Sequence, residues 1–212
     1  MFFPKGSESI VKNHRIKFSK NPHDPVKEYS VEEFEDISGM VYLPRLAYKS
    51  KKCYVKVKRL CEKAFKRGDV SERAIWFGRL YGHLIDEPFI NDIYIAWTGE
   101  EMEYGCYSGK KIVEGAFIGE YTGLVRPCTF WNPDVNEYCF RYPLYKRFFV
   151  VYTIDGKMQG NETSFINHSS SPNCEAVAIW HKGLYHMCLI ALENIPEDAQ
   201  LLLDYGNKRF DT

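Results

Sequence analysis

The sequence lacks both a long apolar run and an excess of charge of one sign. A membrane-spanning helix needs roughly 18 or more consecutive apolar residues, and no stretch of that length is present. Lysine plus arginine and aspartate plus glutamate number 28 each, so the net charge indicates neither a membrane nor a nucleic-acid partner. Pro4 and Lys5 interrupt the apolar start of the chain, which disfavours a secretory signal. We expect synthesis in the cytoplasm, with export by another route left open.

Motifs for metal and dinucleotide binding are also missing. The seven cysteines, at positions 53, 61, 106, 128, 139, 174 and 188, include no Cys-x-x-Cys pair, the spacing typical of zinc sites. Their odd number, in a chain expected to be cytoplasmic, favours free thiols and no metal site. No Gly-x-Gly-x-x-Gly lies between a strand pattern and a helix pattern. A doubly wound nucleotide-binding fold is therefore disfavoured.

The remaining patterns divide the chain into three regions. Residues 1–50 are polar and interrupted by four prolines, and they predict an irregular arm. Residues 51–90 carry two helical patterns and predict a helical extension with a basic face. From 91 to 208 short apolar runs alternate with turn residues, which predicts many short strands. The expected fold class is α+β, mainly β.

The helical extension contains the strongest local charge in the chain. Residues 49–67 hold nine lysines and arginines and one acid, Glu62. Apolar residues recur there at helical spacing, so the cations can face water. This face is either an ordinary solvated surface or a docking surface for phosphates or acidic protein. A second helix is expected from an N-cap at Ser71 to a point before Pro88.

The C-terminal region predicts strands at 93–97, 112–113, 117–121, 148–152, 174–180 and 184–191. Asp155-Gly156 and Lys182-Gly183 are typical hairpin turns. Between these strands, residues 160–174 form a polar loop that can present Asn167 and His168 to a ligand. The alternative is a turn whose side chains hydrogen-bond to its own backbone.

Three motifs flank and include this loop in a fixed order. Glu120-Tyr121-Thr122-Gly123 comes first, Phe165-Ile166-Asn167-His168-Ser169 to Pro172-Asn173 follows, and Ile195 to Asp204-Tyr205-Gly206 comes last. In this order they resemble the SET-domain protein lysine methyltransferases. The likeness covers about residues 92–208. Glu103-Tyr104-Gly105 is similar to the Gly-x-Gly loop of that family, with Glu103 in place of its first glycine.

The resemblance implies the SET β-clip, a set of small curved sheets with a threaded C-terminal segment, here preceded by a short helical region. It implies S-adenosylmethionine as cofactor and assigns it to Glu103, Tyr104, Gly105, Cys106, Tyr107, Asn167, His168 and Tyr205. It places Tyr121 and Tyr205 in the lysine channel as the catalytic pair. Leu203 stands where the family often has an aromatic residue that limits the number of methyl groups.

Tyrosines suit such a channel chemically. A lysine amine has a pKa near ~10.4 and must lose its proton before it can attack a methyl group. A dry aromatic channel disfavours the ammonium ion, whereas a carboxylate would stabilise it. Tyr205 is the expected partner of the methyl group, through weak contacts from its C–H bonds to the phenol oxygen.

The resemblance has departures and open alternatives. A side chain at Glu103 would crowd or repel the cofactor, so a catalytically weak binding module of SET fold is the second hypothesis. A generic β-rich interaction domain is the third. The zinc-binding cysteine clusters that flank many SET domains are missing, as in short bacterial members, including effectors exported to host cells and nuclei. The family implies a histone or histone-like basic protein as substrate; a homodimer and direct nucleic-acid binding stay open.

Overall fold

A computed structural model describes residues 1–4, 13–129, 136–144 and 150–206. Its N-terminal region is more ordered than the irregular arm that the sequence predicts. The elements are β1 (Arg15–Phe18), β2 (Lys27–Ser30), α1 (Val31–Ser38), β3 (Val41–Tyr42) and β4 (Ala47–Tyr48). The reason is that prolines mark the ends of these elements: Pro22 and Pro25 lie between β1 and β2, and Pro44 lies between β3 and β4. The division of the chain into three domains stays a prediction.

Local chemistry explains where helix α1 begins and ends. The Ser30 side chain accepts a hydrogen bond from the Glu33 N–H, and the Glu33 carboxylate accepts one from the Ser30 N–H, a reciprocal capping box. Gly39 ends the helix in the left-handed conformation, at φ 67°, which glycine adopts without a steric penalty. Val31 and Phe34 are the buried face of this short helix.

The two expected helices are confirmed. Helix α2 (Lys51–Lys66) buries Cys53, Val57, Cys61 and Ala64. Helix α3 (Glu72–Asp86) begins at the Ser71 N-cap, whose side chain accepts from the Ala74 N–H, and it ends two residues before Pro88. Phe65, expected on the apolar face of α2, is instead about half exposed, with its ring stacked on Trp180.

The remaining strands are β5 (Ile93–Gly99), β6 (Glu103–Ser108), β7 (Phe117–Glu120), β8 (Leu124–Thr129), β9 (Cys139–Arg141), β10 (Val150–Asp155), β11 (Gln159–Gly160), β12 (Asn167–His168), β13 (Cys174–His181), β14 (Leu184–Ala191) and β15 (Leu202–Leu203). They form sheets ordered β2-β1-β5-β6, β4-β8-β10-β9, β11-β3 and β12-β15-β13-β14-β7. The fold is thus α+β and mainly β, as predicted.

Four of the six expected strands appear as β5, β7, β13 and β14. The expected strand at 148–152 is β10 from residue 150 onward, and residues 148–149 lie outside the described residues. At 112–113 there is only an isolated bridge, between Ile112 and Ile195. Lys182 and Gly183 turn β13 into β14, both with positive φ. The prediction of a hairpin turn at Asp155-Gly156 is wrong, because the strands on either side of it pair with other strands. β10 pairs with β8 and β9, and β11 pairs with β3.

The C-terminal strand β15 is threaded between two strands that are neighbours in the chain. It pairs in parallel with β12 on one side and with β13 on the other. A short segment that enters a sheet between consecutive strands is rare among folds. It carries Leu203 into the core and delivers the residues that follow to the loop 160–174.

Contacts of the Glu162 side chain connect the N-terminal region to the loop 160–174. Glu162 lies in the 3₁₀ turn Glu162–Phe165 and is only 3% exposed. Its carboxylate lies 2.6 Å from His14 Nε2 and accepts from the Tyr42 hydroxyl at 3.0 Å. A buried carboxylate requires such partners, so the N-terminal region fixes the turn that immediately precedes Asn167 and His168.

All seven cysteines are buried, and Cys53, Cys61, Cys106, Cys174 and Cys188 are free thiols. Within the described ranges no helix combines the length and the hydropathy needed to cross a membrane.

Candidate active site

Asn173 holds the threaded segment in place. Its Nδ2 donates to the Gln200 carbonyl and its Oδ1 accepts from the Leu202 N–H, both at 2.8 Å. Its own N–H donates to the Leu202 carbonyl at 3.1 Å. An amide with one donor end and one acceptor end suits this double contact. This side chain therefore helps to position Gln200 to Leu202, together with the pairing of β15 to its neighbours.

Tyr205 follows β15 and lies against the Ile166–His168 segment. Its hydroxyl donates to the Ile166 carbonyl at 2.7 Å, and its N–H donates to His168 Nδ1 at 3.1 Å. The two rings of His168 and Tyr205 lie 5.3 Å apart between centroids. Residues that are 37 to 39 positions apart in the sequence thus meet through three independent contacts.

These contacts indicate which nitrogen of His168 carries the proton. Nδ1 can accept from the Tyr205 N–H at 3.1 Å only when it is unprotonated. The Leu203 carbonyl lies farther from the same nitrogen, at 3.3 Å, and would require a proton there. The shorter contact favours the Tyr205 N–H as the hydrogen-bond partner of Nδ1. Through this bond His168 connects the Tyr205 main chain to the loop.

Tyr121 comes directly after β7 and is buried, at 3% exposure. Its N–H donates to the Met187 carbonyl and its hydroxyl donates to the Tyr138 carbonyl, both at 2.7 Å. The Phe140 ring lies 4.4 Å away between centroids. Burial raises the pKa of Tyr121 well above its ordinary value, and nearby Tyr205 raises it further. Both effects keep the Tyr121 phenol neutral at physiological pH.

The expected cofactor residues on β6 use most of their side chains for packing. Tyr104 donates its hydroxyl to the Lys20 carbonyl, Cys106 is fully buried, and Tyr107 stacks on Tyr94. Their contribution to a ligand must therefore come from the main chain. Asn167 reaches this strand directly, since its Nδ2 donates to the Tyr104 carbonyl at 3.1 Å.

Gly105 lies where the strand, the loop and the threaded segment come closest. A Cβ at this position would lie 2.4 Å from Thr98 Oγ1, 2.6 Å from Gln200 Nε2 and 3.2 Å from Asn167 Nδ2. A side chain at this position would displace the ends of the Thr98 and Gln200 side chains. Glycine therefore lets the amide groups of Asn167 and Gln200 approach the β6 backbone.

Glu103 occupies a backbone conformation that favours glycine. Its φ is 54° and its side chain is exposed. The left-handed region costs a residue with a Cβ about 1 kcal/mol or more. The structure thus explains physically why a glycine would be favoured at this position, and the glutamate places a carboxylate at the edge of the β5–β6 hairpin.

A cavity of about 700 Å³ opens beside Tyr205. Leu203, Tyr205 and Phe140 line it. Tyr121 does not line the cavity itself but contacts the Phe140 ring. Carboxylates of Glu137, Glu175 and Asp204 lie around it with one cation, Arg141; Glu175 is paired with Arg73 at 2.7 Å. The excess of acids favours a cationic occupant.

The structure also brings two residues to the site that the sequence analysis did not select. Gln200 Nε2 is buried without a hydrogen-bond partner among the described residues. Ser164 Oγ is also buried, and its nearest polar side-chain group is the Tyr121 hydroxyl. Gln200 flanks Gly105, and Ser164 lies next to Tyr121 and Gly156. Unsatisfied buried polar atoms are rare and often mark a place for a ligand. Nothing in the local sequence distinguishes these two side chains from ordinary loop residues.

Among the described residues no group of three or more His, Cys, Asp and Glu side chains could hold a metal ion.

Comparison with known proteins identifies the fold family. The model of the SET domain matches residues 103–206. The histone-lysine N-methyltransferase ash1 of Drosophila melanogaster is 30% identical over 116 residues, which cover 51% of this chain. The human histone-lysine N-methyltransferase SETD2 is 26% identical over 122 residues, which cover 56% of this chain. The matched region amounts to only 5% of each of these relatives.

One solved structure supports the fold. The Chaetomium thermophilum polycomb repressive complex 2 matches 58% of this chain and 16% of its own chain, with 20% identity and a TM-score of 0.51. The β-clip with its threaded C-terminal strand, the three ordered motifs and the family match agree with one another. Residues 103–206 form a SET domain.

Proposed function

We propose that this chain transfers a methyl group from S-adenosylmethionine to a lysine side chain of a basic protein, with histones or histone-like proteins as the substrate class. The observation that carries the proposal is the docking of Tyr205 on Ile166 and His168, with neutral Tyr121 nearby. The family match and the named activity of the relatives support it. Tyr121 and Tyr205 are the proposed catalytic pair.

The residues around Gly105 fit a cofactor of this kind. S-adenosylmethionine has a carboxylate and hydroxyl groups that need hydrogen-bond donors, and Gln200 Nε2 is a buried donor with no partner among the described residues. Asn167, His168, Tyr205 and the main chain of Glu103 to Tyr107 would hold it. When bound, it supplies an electrophilic methyl group on a positively charged sulfur. Gly105 keeps the β6 backbone accessible to the amide groups beside it.

The chain's own contribution is orientation and exclusion of water. Tyr121 is 3% exposed and its phenol stays neutral, so it places no anion that would stabilise an incoming lysine as ammonium. The Tyr205 hydroxyl donates to the Ile166 carbonyl, which fixes the direction of its oxygen lone pairs. Fixed dipoles in a dry site cost no reorganisation during the reaction. Orientation of the two reactants supplies the rest of the acceleration.

Charge around the cavity supports a basic substrate. Glu137 and Asp204 are exposed at a cavity that Leu203 and Tyr205 line. A lysine-rich segment would be attracted to these carboxylates at the entrance and would lose its charge only deeper, beside the tyrosines. The proposed bacterial origin and the proposed export to a host cell and nucleus stay predictions. The two relatives named above are not bacterial but come from a fly and a human.

Leu203 leads to a prediction on product multiplicity. It is 3% exposed, lines the cavity and carries no hydroxyl that could hold a water. We expect the wild type to add more than one methyl group, and Leu203→Phe to shift the products toward monomethyl-lysine because the larger ring fills the space. Mass spectrometry of the modified lysine at saturation measures this. Leu203→Met, which conserves volume, is the matched control; strictly monomethylated product from the wild type would contradict the prediction.

Glu103 provides the experiment that separates an enzyme from a catalytically weak binding module. We expect the wild type to bind S-adenosylmethionine with micromolar affinity in calorimetry. Glu103→Gly should bind roughly fivefold more tightly, about 1 kcal/mol, because a carboxylate is removed near that of the ligand. The same change should raise the free energy of unfolding by up to about 1 kcal/mol, because the left-handed conformation suits glycine.

Two calorimetric results would contradict these expectations. No heat of binding from either protein would favour the module over the enzyme. Equal affinities for wild type and Glu103→Gly would place the Glu103 carboxylate away from the ligand. Exposed Glu101→Gly, two positions earlier, is the matched control for loss of one carboxylate.

A further inference from the structure

The outer face of helix α2 carries a continuous stripe of cations. Lys52, Lys56, Arg59, Lys63 and Lys66 follow one another at steps of four, three, four and three residues, and all five are exposed. Side chains at this spacing lie one above the other on a single face of a helix. We call these five residues the basic stripe. At 1.5 Å per residue it extends over about 21 Å.

The basic stripe is anchored by its helix and has a large excess of positive charge. The acid of α2, Glu62, lies three residues after Arg59 and four before Lys66, so it offsets only part of that charge. On the opposite face of α2, Cys53, Val57, Cys61 and Ala64 are buried in the core, which fixes the helix in place. In the part of the chain that the structure describes, no ion pair joins a stripe residue to an acid. The helix holds seven of the chain's 28 cationic side chains and one of its 28 acidic ones. The rest of the molecule therefore has a net negative charge.

We propose that the basic stripe is a binding site for the phosphate backbone of double-stranded DNA. A duplex presents one phosphate per about 1.7 Å of axis when both strands are counted, so about 21 Å of axis holds roughly twelve phosphates, and those of the two strands on the near side of a groove face the stripe. Lysine and arginine neutralise such phosphates and release their counterions, which requires charge but no pocket. The net negative charge of the rest of the molecule favours approach of the duplex to this face.

The composition of the stripe favours a duplex over other polyanions. Single-stranded nucleic acid is usually held by aromatic rings on which bases stack, and no stripe position is aromatic. The neighbouring Phe65 ring is stacked on Trp180 with an angle of 3° between the planes. An acidic protein would be expected to add several apolar contacts at its centre; exposed Val55 is one apolar residue beside the stripe, whereas the five stripe positions are all charged.

The position of the stripe suits a substrate protein that is itself bound to DNA. The buried face of α2 and the cavity residue Met187 belong to the same core cluster, and Ala178 of the cavity packs against it. Carboxylates surround that cavity, and cations cover α2. One molecule could therefore hold a basic protein and the duplex bound to that protein on separate, oppositely charged surfaces. DNA binding itself does not require that the chain be a methyltransferase.

Fluorescence anisotropy with a labelled duplex of about 20 base pairs, over a series of salt concentrations, tests the proposal. We compare the full chain with Lys56→Gln/Arg59→Gln/Lys63→Gln and with the control Lys27→Gln/Lys111→Gln/Lys157→Gln. The control removes three exposed cations elsewhere, so both variants have the same net charge. If five phosphates are contacted, log K should fall with log salt at a slope near about −4.5, and the stripe variant should reduce this to about −2. At low salt the stripe variant should bind at least tenfold more weakly, and the control should bind like the wild type.

Several outcomes would overturn the proposal. These are no binding of the duplex by the wild type, equal weakening in both variants, or tighter binding of a single strand or of polyglutamate than of the duplex. Circular dichroism melting of all three proteins shows whether a loss of binding comes from unfolding. The assay contains no methyl donor, so its failure and a failure of methyl transfer are read separately.

Discussion

Tyr205→Phe is expected to lower kcat for methyl transfer by on the order of 10²-fold, because it removes one fixed dipole from a dry site. The variant also loses the hydrogen bond to the Ile166 carbonyl. Such a bond contributes about 1 kcal/mol to stability, so the protein should remain folded. The ring contact with His168 and the bond from the Tyr205 N–H to Nδ1 do not involve the hydroxyl. Transfer of labelled methyl groups to basic proteins measures the effect.

Tyr81→Phe is the matched control for this variant. The Tyr81 hydroxyl also donates to a backbone carbonyl, that of Gly115, but it lies on α3 outside the candidate site. We expect its kcat to stay within about twofold of the wild type, since it loses a hydrogen bond of similar worth with no group at the site. Equal activity of Tyr205→Phe and wild type would remove Tyr205 from the catalytic pair.

Gly78→Ala is expected to cause the largest loss of stability of any single change considered, about 3 kcal/mol or more. A Cβ at this position would overlap the Trp180 carbonyl oxygen of β13, and the clash is with backbone on a strand in the middle of its sheet. The added methyl would force α3 away from β13, which loosens the packing of that strand. Urea denaturation of the full chain measures the change in the free energy of unfolding.

Gly82→Ala, one turn later on the same helix, is its control. The three atoms nearest to its Cβ would all belong to the His181 imidazole, a side chain that can shift at the cost of its contact with Asp86 at 3.1 Å. Alanine is also the better helix former by about 1 kcal/mol. We expect this variant to lie within about 1 kcal/mol of the wild type. Similar losses in both variants would show that helix composition, rather than the contact with Trp180, determines the result.

The sequence predicts most reliably those helices and strands whose own residue pattern is sufficient to identify them. Helices α2 and α3 follow from their apolar spacing and from the Ser71 cap. Strands β13 and β14 follow from the apolar-rich runs 174–180 and 184–191 on either side of Lys182-Gly183. The three ordered motifs lie within residues 103–206, which the model of the SET domain matches.

Other elements could not be read from the sequence, because their partners are distant. Strands β12 and β15 have two residues each. They form only because the segment that contains β15 is threaded between β12 and β13. Strand β1 joins its sheet through one register pair to β5, Phe18 with Ile95. Its alternation of Ile16 and Phe18 is too short to predict a strand.

The candidate site shows the same limit. Tyr121, Tyr205, Asn167 and His168 were selected by motif, whereas Gln200 and Ser164 became visible only through their burial beside Gly105 and Tyr121. The cavity residue Phe140 belongs to a segment in which the sequence predicted no strand.

The most direct test of the account is isotope-labelled methyl transfer onto a panel of histones and other basic proteins, read by mass spectrometry at the level of single residues. We predict label on lysine Nζ with the wild type and with Tyr81→Phe, and at most about a hundredth of that rate with Tyr205→Phe. A panel in which no lysine gains a labelled methyl group from the wild type, although the protein binds S-adenosylmethionine, would contradict the proposed activity.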